Sequence, residues 1–310
     1  MVINNYIKLI LLLSITMNAH GQSTKKTLIN VLIIDGYSNH DWKQTTAVTK
    51  GILGESKLFE VTVTHAPATT NKDSLTLWDP DFSGYQVIIQ NTNNIFNQNL
   101  RWPPKVEQKL ERFVADGGGL YILHSANNAF PHWKEYDEMI GLAWRNKDTG
   151  YALKIDKDTK KIIAIPPGEG KSTSHGERFD AVIHILNRHE INKGYPKKWI
   201  TPSMELYTYA RGPAKNVTVL SYAFDEATQT NWPVEWVVKY GKGYIYNSSM
   251  GHLWKGEEYP ISYRCIGFQT TLIRTVEWLA KHKVSYKVPK NFPGEIVSTR
   301  SETDYPAKNP

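Results

Sequence analysis

The chain alternates between short runs that are apolar at nearly every position and longer stretches in which apolar residues recur every three or four. Residues 28–35, LINVLIID, are almost continuously aliphatic and β-branched, the pattern of a strand covered on both faces. This run reads as the central strand of a sheet. The following NHDWKQTTAVTKGIL places Ala47, Val48, Ile52 and Leu53 on one side of a helix that Asn39 or Asp41 can cap. FEVTVTHA alternates as a second strand, and residues 85–91, YQVIIQN, form a third buried run. PPKVEQKLERFVADGG has prolines at its start and glycines past its end, so it predicts a helix packing through Val106, Leu110, Phe113 and Val114.

Residues 117–130, GGGLYILHSANNAF, open as a turn, continue as a buried strand and then change chemistry within one residue. The order strand, helix, strand, crossover, strand, helix, strand predicts an α/β fold: a flavodoxin-like or Rossmann-like parallel sheet in three layers, with helices on both faces. From about 150 to 240 the pattern shifts to short alternating segments, FDAVIHIL, ELYTYA and NVTVLSYAF, separated by Pro, Gly and Asn. These predict an antiparallel elaboration within the same domain. GKGYIYNSSMGH and RCIGFQTTLIRTVEWLAKH return to strand and helix. The main domain therefore spans 22–286, and residues 287–310, rich in Pro, Lys, Ser and Thr, read as a loosely ordered tail.

The first segment, MVINNYIKLILLLSITMNAHGQS, departs from this scheme. Lys8, the apolar run 9–15 and the small residues near Ala19 and Gly21 read as a signal peptide over residues 1–21, too short in its apolar part to span a bilayer. The expectation is an exported protein, periplasmic or secreted, with no membrane span. Cys265 is the single cysteine, so no internal disulfide is possible. The formal charge is +7, yet lysines alternate with acids, as in KIDKDTKK at 154–161. Such interleaving marks a solvated hairpin tip and argues against a nucleic-acid partner. DKD within it lacks the glycine and distal glutamate of a calcium loop.

Ligands of open parallel sheets bind beyond the carboxyl ends of the strands. Four polar loops fall at such ends: Tyr37, Asn39, His40 and Asp41; Asn91 to Asn94; His124, Ser125, Asn127 and Asn128; and Ser248, Ser249, Gly251 and His252. A parallel sheet brings them to one rim. His40, His124 and His252 could then meet Glu205, a donor set of three nitrogens and a carboxylate that suits a divalent metal such as zinc; neutral histidines equally serve as acid, base or hydrogen-bonding groups. LHSAN lacks the flanking glycines of a nucleophile elbow, which argues against Ser125 as a nucleophile. Gly117, Gly118 and Gly119 suit a helix stop, and no G-x-G-x-x-G follows the first strand, which argues against a dinucleotide. Trp42, Trp102, Trp133, Trp144, Trp232, Trp236 and Trp254 lie in or beside these loops, and flat apolar faces with polar edges suit sugar rings.

NHDW, GGGLYILHSA, SHGERFDAVIHI with His175, RHEINKGYP, MELYTYA, PVEW and GKGYIYNSSMGH, in this order from about residue 30 to 279, resemble the trehalose-utilization or ThuA-like family, which has a class I glutamine-amidotransferase-like fold. Two departures stand out: His189-Glu190-Ile191 replaces a His-Pro-Ile segment, and Met204 replaces an aspartate before Glu205 and Tyr207. No cysteine nucleophile stands near His124 and Ser125, so glutamine hydrolysis is not expected. The resemblance implies carbohydrate catabolism, with a small carbohydrate or 3-keto-glycoside cleaved or rearranged by acid-base or metal-assisted chemistry. His124, His252 and Glu205 are then the candidate catalytic groups. His40, Asp41, Asn91, Asn127, His175, Tyr207 and Trp254 are the candidate substrate contacts. Alternatives are a hydrolase using Glu205 and Glu235 as a carboxylate pair, and a non-catalytic sugar-binding or scaffold domain.

Overall fold

The computed structural model describes residues 27–258 and 260–303; the expected leader lies outside them. The strands are β1 (Ile29–Asp35), β2 (Phe59–His65), β3 (Val87–Gln90), β4 (Gly119–Ile122), β5 (Tyr151–Ile155), β6 (Ile162–Ile165), β7 (Phe179–Ile185), β8 (Lys198–Met204), β9 (Arg211–Gly212), β10 (Val217–Asp225), β11 (Thr230–Tyr240) and β12 (Gly243–Ser248). The helices are α1 (Trp42–Glu55), α2 (Lys72–Thr76), α3 (Pro104–Ala115), α4 (Lys134–Ile140), α5 (Ile261–Arg264) and α6 (Ile266–Lys281), with a 3-10 turn at His124–Asn128.

One sheet runs through the molecule in the order β2-β1-β3-β4-β12-β11-β10-β7-β8, with β5, β6 and β9 attached beside β11. The first five strands are mutually parallel. β1 is therefore second from an edge and not central; β3 holds the middle of the parallel half. A uniformly apolar run reports burial on both faces, which every interior strand shares, so it does not report position within the sheet. Alternate residues of β1 serve opposite layers. Val31 and Ile33 pack with Val48 and Ile52 of α1 and with Leu272 and Val276 of α6. Leu32 and Ile34 pack with Val106, Leu110 and Val114 of α3 and with Met139 and Ile140 of α4.

Beyond β12 each neighbour reverses direction: β11 against β12, β10 against β11, β7 against β10 and β8 against β7. Four reversals give β8 the sense of β12. Its carboxyl end at Met204, and the start of β7 at Phe179 paired with it, consequently point toward the same rim as the ends of β1, β4 and β12. β8 also packs on α5 and α6, so this half of the sheet curls back toward the parallel half.

ELYTYA is not the strand its alternation predicts. Residues 205–210 leave the ladder, keep one isolated bridge between Thr208 and Ser174, and run back across the rim to β9. Tyr209 adopts φ 52° on the way. The end of the chain differs as well. Through residue 303 it is held by backbone bonds from Ile200 to Gly294, Ile266 to Thr299 and Ser301 to Arg264, and Phe292 packs between Tyr195 and Trp199. Loose attachment therefore does not describe 287–303: composition shows few apolar residues but not the backbone pairing.

Candidate active site at the carboxyl rim of the sheet

His40, His124 and His252 converge at the rim. Their ring centroids lie 5.2, 5.0 and 5.2 Å apart and the planes cross at 78°, 77° and 85°. The three imidazoles thus form a nearly equilateral triangle with each ring edge-on to the others, and all are buried. His124 enters the 3-10 turn with φ 42°. A left-handed backbone at a branched-ring residue costs about 1–3 kcal/mol; it turns the chain sharply off β4. His252 follows Gly251, whose φ of 90° would strain any other residue and where a Cβ would sit 3.0 Å from the Phe268 ring.

Glu205 closes the arrangement. Its Oε2 lies 3.1 Å from His124 Nε2, and its Oε1 lies 3.2 Å from His175 Nε2 and 3.6 Å from His252 Nε2. Tyr207 Oη stands 3.5 Å from the His124 ring nitrogens. Trp254 covers the opposite side, edge-on to His40 at 4.9 Å and parallel to His252 at 6.2 Å. Trp144 packs against both His175 and Tyr207. Trp254 and His175 are partly exposed and mark the mouth; the triangle and Glu205 lie beneath them.

Burial lowers the basicity of two of these imidazoles, His40 and His252. His40 is pushed down to about 2, by desolvation first and then by the neighbouring His124 and His252. His252 is pushed down to about 3 for the same two reasons, desolvation and His124. Burial works against the charge of Glu205, but the bond to His124 and the surrounding imidazoles outweigh it and hold the carboxyl below its ordinary range. The site therefore presents neutral His40 and His252 against an ionised carboxylate at neutral pH.

The outer nitrogens are tied down. Asn93 accepts from the Ile95 amide on Oδ1 at 2.8 Å and donates from Nδ2 to Ser125 O at 2.9 Å and to Asn39 Oδ1 at 2.7 Å. This identifies the Asn39 atom as oxygen, so His40 Nδ1, 2.9 Å from it, carries the proton. His124 Nδ1 donates to the Ser249 carbonyl at 3.0 Å, and His175 Nδ1 to the Gly176 carbonyl at 2.8 Å. His252 Nδ1 meets Arg178 Nη1 at 3.2 Å and Glu257 Oε1 at 3.8 Å, and Arg178 and Glu257 are themselves paired. His40, His124, His252 and Glu205 each offer one ligand atom, and these four atoms lie within 4.8 Å of one another.

Three expected contacts lie elsewhere. Asp41 caps α1 through the Gln44 amide at 3.0 Å. Asn91 donates to Trp42 O and Thr46 Oγ1 and so holds α1 to β3. Asn127 donates to Leu142 O at 2.8 Å. Asparagines and aspartates at strand ends satisfy exposed backbone groups as readily as ligands, and here these three do so. Glu235, the other half of the carboxylate pair considered from sequence, is buried and bonded to Ser221 and to Tyr246 Oη at 2.7 Å within the sheet. Burial raises its pKa. Conversely, sequence reasoning does not single out Arg178 or Glu257. Arg178 lies two residues after Gly176 in SHGERF; Glu257 sits in an unremarkable GEEY.

The α/β sheet thus gathers three histidines at its parallel strand ends, completed by a carboxylate from the antiparallel extension, at the rim where open sheets bind ligands. The chain belongs to the trehalose utilisation (ThuA) family, whose model matches residues 30–279. A ThuA-like protein of known structure from Parabacteroides merdae is 31% identical and superposes with a TM-score of 0.81 over 89% of this chain and 98% of that one. A GMP synthase protein from Thermoplasma acidophilum matches at 9% identity and TM-score 0.42 over 83% of this chain and 96% of that one, too distant to carry an argument. No curated protein matches. Among the described residues no helix is long and apolar enough to cross a membrane.

Proposed function

We propose that this chain is an exported enzyme of carbohydrate catabolism that cleaves or rearranges a glycoside, with 3-keto-glycosides of the trehalose type as the substrate class. One observation carries the reading: Glu205 is contacted on both carboxylate oxygens by imidazoles from three separate loops, beneath the partly exposed ring of Trp254. An ionised carboxylate gathered among histidines from separate loops in a cleft is the kind of perturbed, coupled cluster that catalytic sites use.

The chemistry follows from the substrate. A ketone at carbon 3 acidifies the proton on carbon 2, so a positioned base removes it and a second group protonates the departing glycosidic oxygen. Glu205, ionised and held by His124, has the charge state of the base. His175, at the mouth with Nε2 against Glu205, is placed to exchange protons with a leaving group. Trp254 offers a flat face for the sugar ring, and His40 and His252 position the substrate or Glu205.

The test is to incubate the purified protein, with and without added divalent metal, with 3-keto-trehalose and with trehalose, following products by NMR. Turnover of the keto-sugar, falling at least about 100-fold in Glu205→Gln, is expected. No turnover of either sugar under any metal condition, or full activity in Glu205→Gln, overturns the proposal; cleavage of trehalose alone replaces it with direct hydrolysis.

A further inference from the structure

The hydrogen-bond directions in the site conflict unless a cation lies within it. His124 Nδ1 donates to the Ser249 carbonyl, so Nε2 can bind Glu205 Oε2, 3.1 Å away, only if the ring carries a second proton or a cation lies between the two atoms. His175 repeats the conflict: Nδ1 donates to Gly176 O and Nε2 faces Glu205 Oε1 at 3.2 Å. His40 adds a third case. Its Nδ1 is committed to Asn39 Oδ1, and its Nε2 is buried with no hydrogen-bond partner. Acceptors held against acceptors repel, and a buried nitrogen without a partner loses its hydration for nothing. A proton on His124 would answer one of these contacts. A proton on the partly exposed His175 would answer the second, but neither reaches the buried Nε2 of His40.

From this geometry we propose that His40, His124, His252 and Glu205 form a resident binding site for one divalent transition-metal ion of the zinc class. A tetrahedral zinc with bonds near 2.05 Å spaces its ligand atoms about 3.3 Å apart. Glu205 approaches with different oxygens, Oε2 3.1 Å from His124 and Oε1 3.6 Å from His252, each near that spacing. The remaining separations lie within 4.8 Å and would have to contract for an ion to be held. Three nitrogens and one carboxylate suit zinc and its neighbours, whereas calcium and magnesium require oxygen donors.

The outer contacts have the form such sites use, in which each ligating histidine hands its second nitrogen to a carbonyl or carboxylate. Asn39 and Ser249 do this for His40 and His124. His252 differs, because Arg178 is purely a donor and Glu257 purely an acceptor at its Nδ1. As the structure stands, Arg178 donates to Nδ1 at 3.2 Å and Glu257 is 3.8 Å away; a metal on Nε2 requires the Nδ1 proton to turn to Glu257, with Arg178 keeping only its bond to that carboxylate. Glu257 is thereby assigned as a positioning residue for the metal. The inference rests on contact geometry and stands apart from the substrate proposed above.

The test uses the full chain, stripped with a chelator and dialysed against micromolar zinc or cobalt(II). Elemental analysis is expected to find about one zinc per chain, and the cobalt form to show intense visible d–d bands of a four- or five-coordinate ion. Zinc should raise the melting temperature of the stripped protein. Glu205→Gln and His40→Ala, each checked for folding by circular dichroism, should lower zinc affinity at least about 100-fold, and Glu257→Gln about tenfold. Trp254→Ala should bind as the wild type does. Substoichiometric zinc in the folded wild type, a weak octahedral cobalt spectrum, or unchanged affinity in folded Glu205→Gln overturns the inference. Metal bound without turnover of any glycoside would support it while removing the proposed reaction.

Discussion

Arg211 offers the sharpest test of how the rim is built. It is fully buried, and no described ion pair reaches its guanidinium; five backbone carbonyls do. Nε and Nη2 donate to Lys171 O at 3.0 and 2.8 Å, Nη1 donates to Gly150 O, Pro166 O and Ile165 O at 3.2, 3.1 and 3.4 Å, and Nη2 also donates to Glu169 O. Apart from Gly150, which precedes β5, these carbonyls belong to the arm leading from the end of β6 to Thr173, Ser174 and His175. Thr173 continues the tether by donating to Ala143 O and Tyr209 O. Arg211 thus holds the segment that delivers His175 to Glu205.

Arg211→Met keeps the apolar stem and removes every donor. A hydrogen bond from a charged group contributes about 1.5–3 kcal/mol, but contacts to one guanidinium are not additive, so we expect a loss of about 4 kcal/mol, at the upper end for a single substitution. For a domain of this size that lowers the melting temperature on the order of 10 °C. Arg211→Lys should recover less than half, because an ammonium cannot reproduce the planar fork. Hydrogen exchange across 163–175 should rise in Arg211→Met, whereas the amides of β1, β3 and β4 keep their protection. A variant within about 1 kcal/mol of wild type, with exchange in the arm unchanged, would refute this account.

Three further outcomes are expected. Tyr207→Phe removes only the hydroxyl beside His124 and should leave the melting temperature unchanged while lowering kcat on the order of tenfold; a stability loss with normal kcat would make it a core group. Gly36→Ala places a methyl 2.1 Å from Ala66 O at φ 133°, so it should destabilise by more than about 2 kcal/mol and displace the loop that carries His40, measured by urea unfolding. Glu107 is raised from 4.5 to about 7 by burial. A raised folded pKa means its contribution is fully present below pH 4.5 and is lost as pH rises through 7, so wild type should lose about 1–3 kcal/mol relative to Glu107→Gln between pH 5 and 8; parallel stability curves would contradict this.

Much of the fold was legible because the parallel half obeys simple periodicities. Strands buried on both faces read as continuous apolar runs, α3 announced itself through Pro104 and Gly117, and α1 through its Asp41 cap. The meeting of His40, His124 and His252 followed from one rule about strand ends. What stayed hidden depends on hydrogen bonding at a distance. Nothing local distinguishes an asparagine that binds ligand from one that ties α1 to β3, as Asn91 does. ELYTYA has the alternation of a strand, but Glu205 and Tyr207 contact histidine side chains at the rim. Arg178 and Glu257 acquire a role only through His252, 74 and 5 residues away in sequence.

The site lies on the seam between the two halves of the sheet, which bears on how the centre came to be complete. The strand ends of the parallel half supply the histidine triangle and, in Glu257, a carboxylate at the outer nitrogen of His252, but not the carboxylate that meets His124. Glu205, His175, Tyr207 and Arg178 all come from the antiparallel extension, and they reach the rim because four direction reversals return β8 to the sense of β12. An odd number of reversals would carry the end of β8, and Glu205 with it, to the opposite edge of the sheet. The extension therefore does more than enlarge the core, because its strand parity decides whether Glu205 reaches the three buried imidazoles.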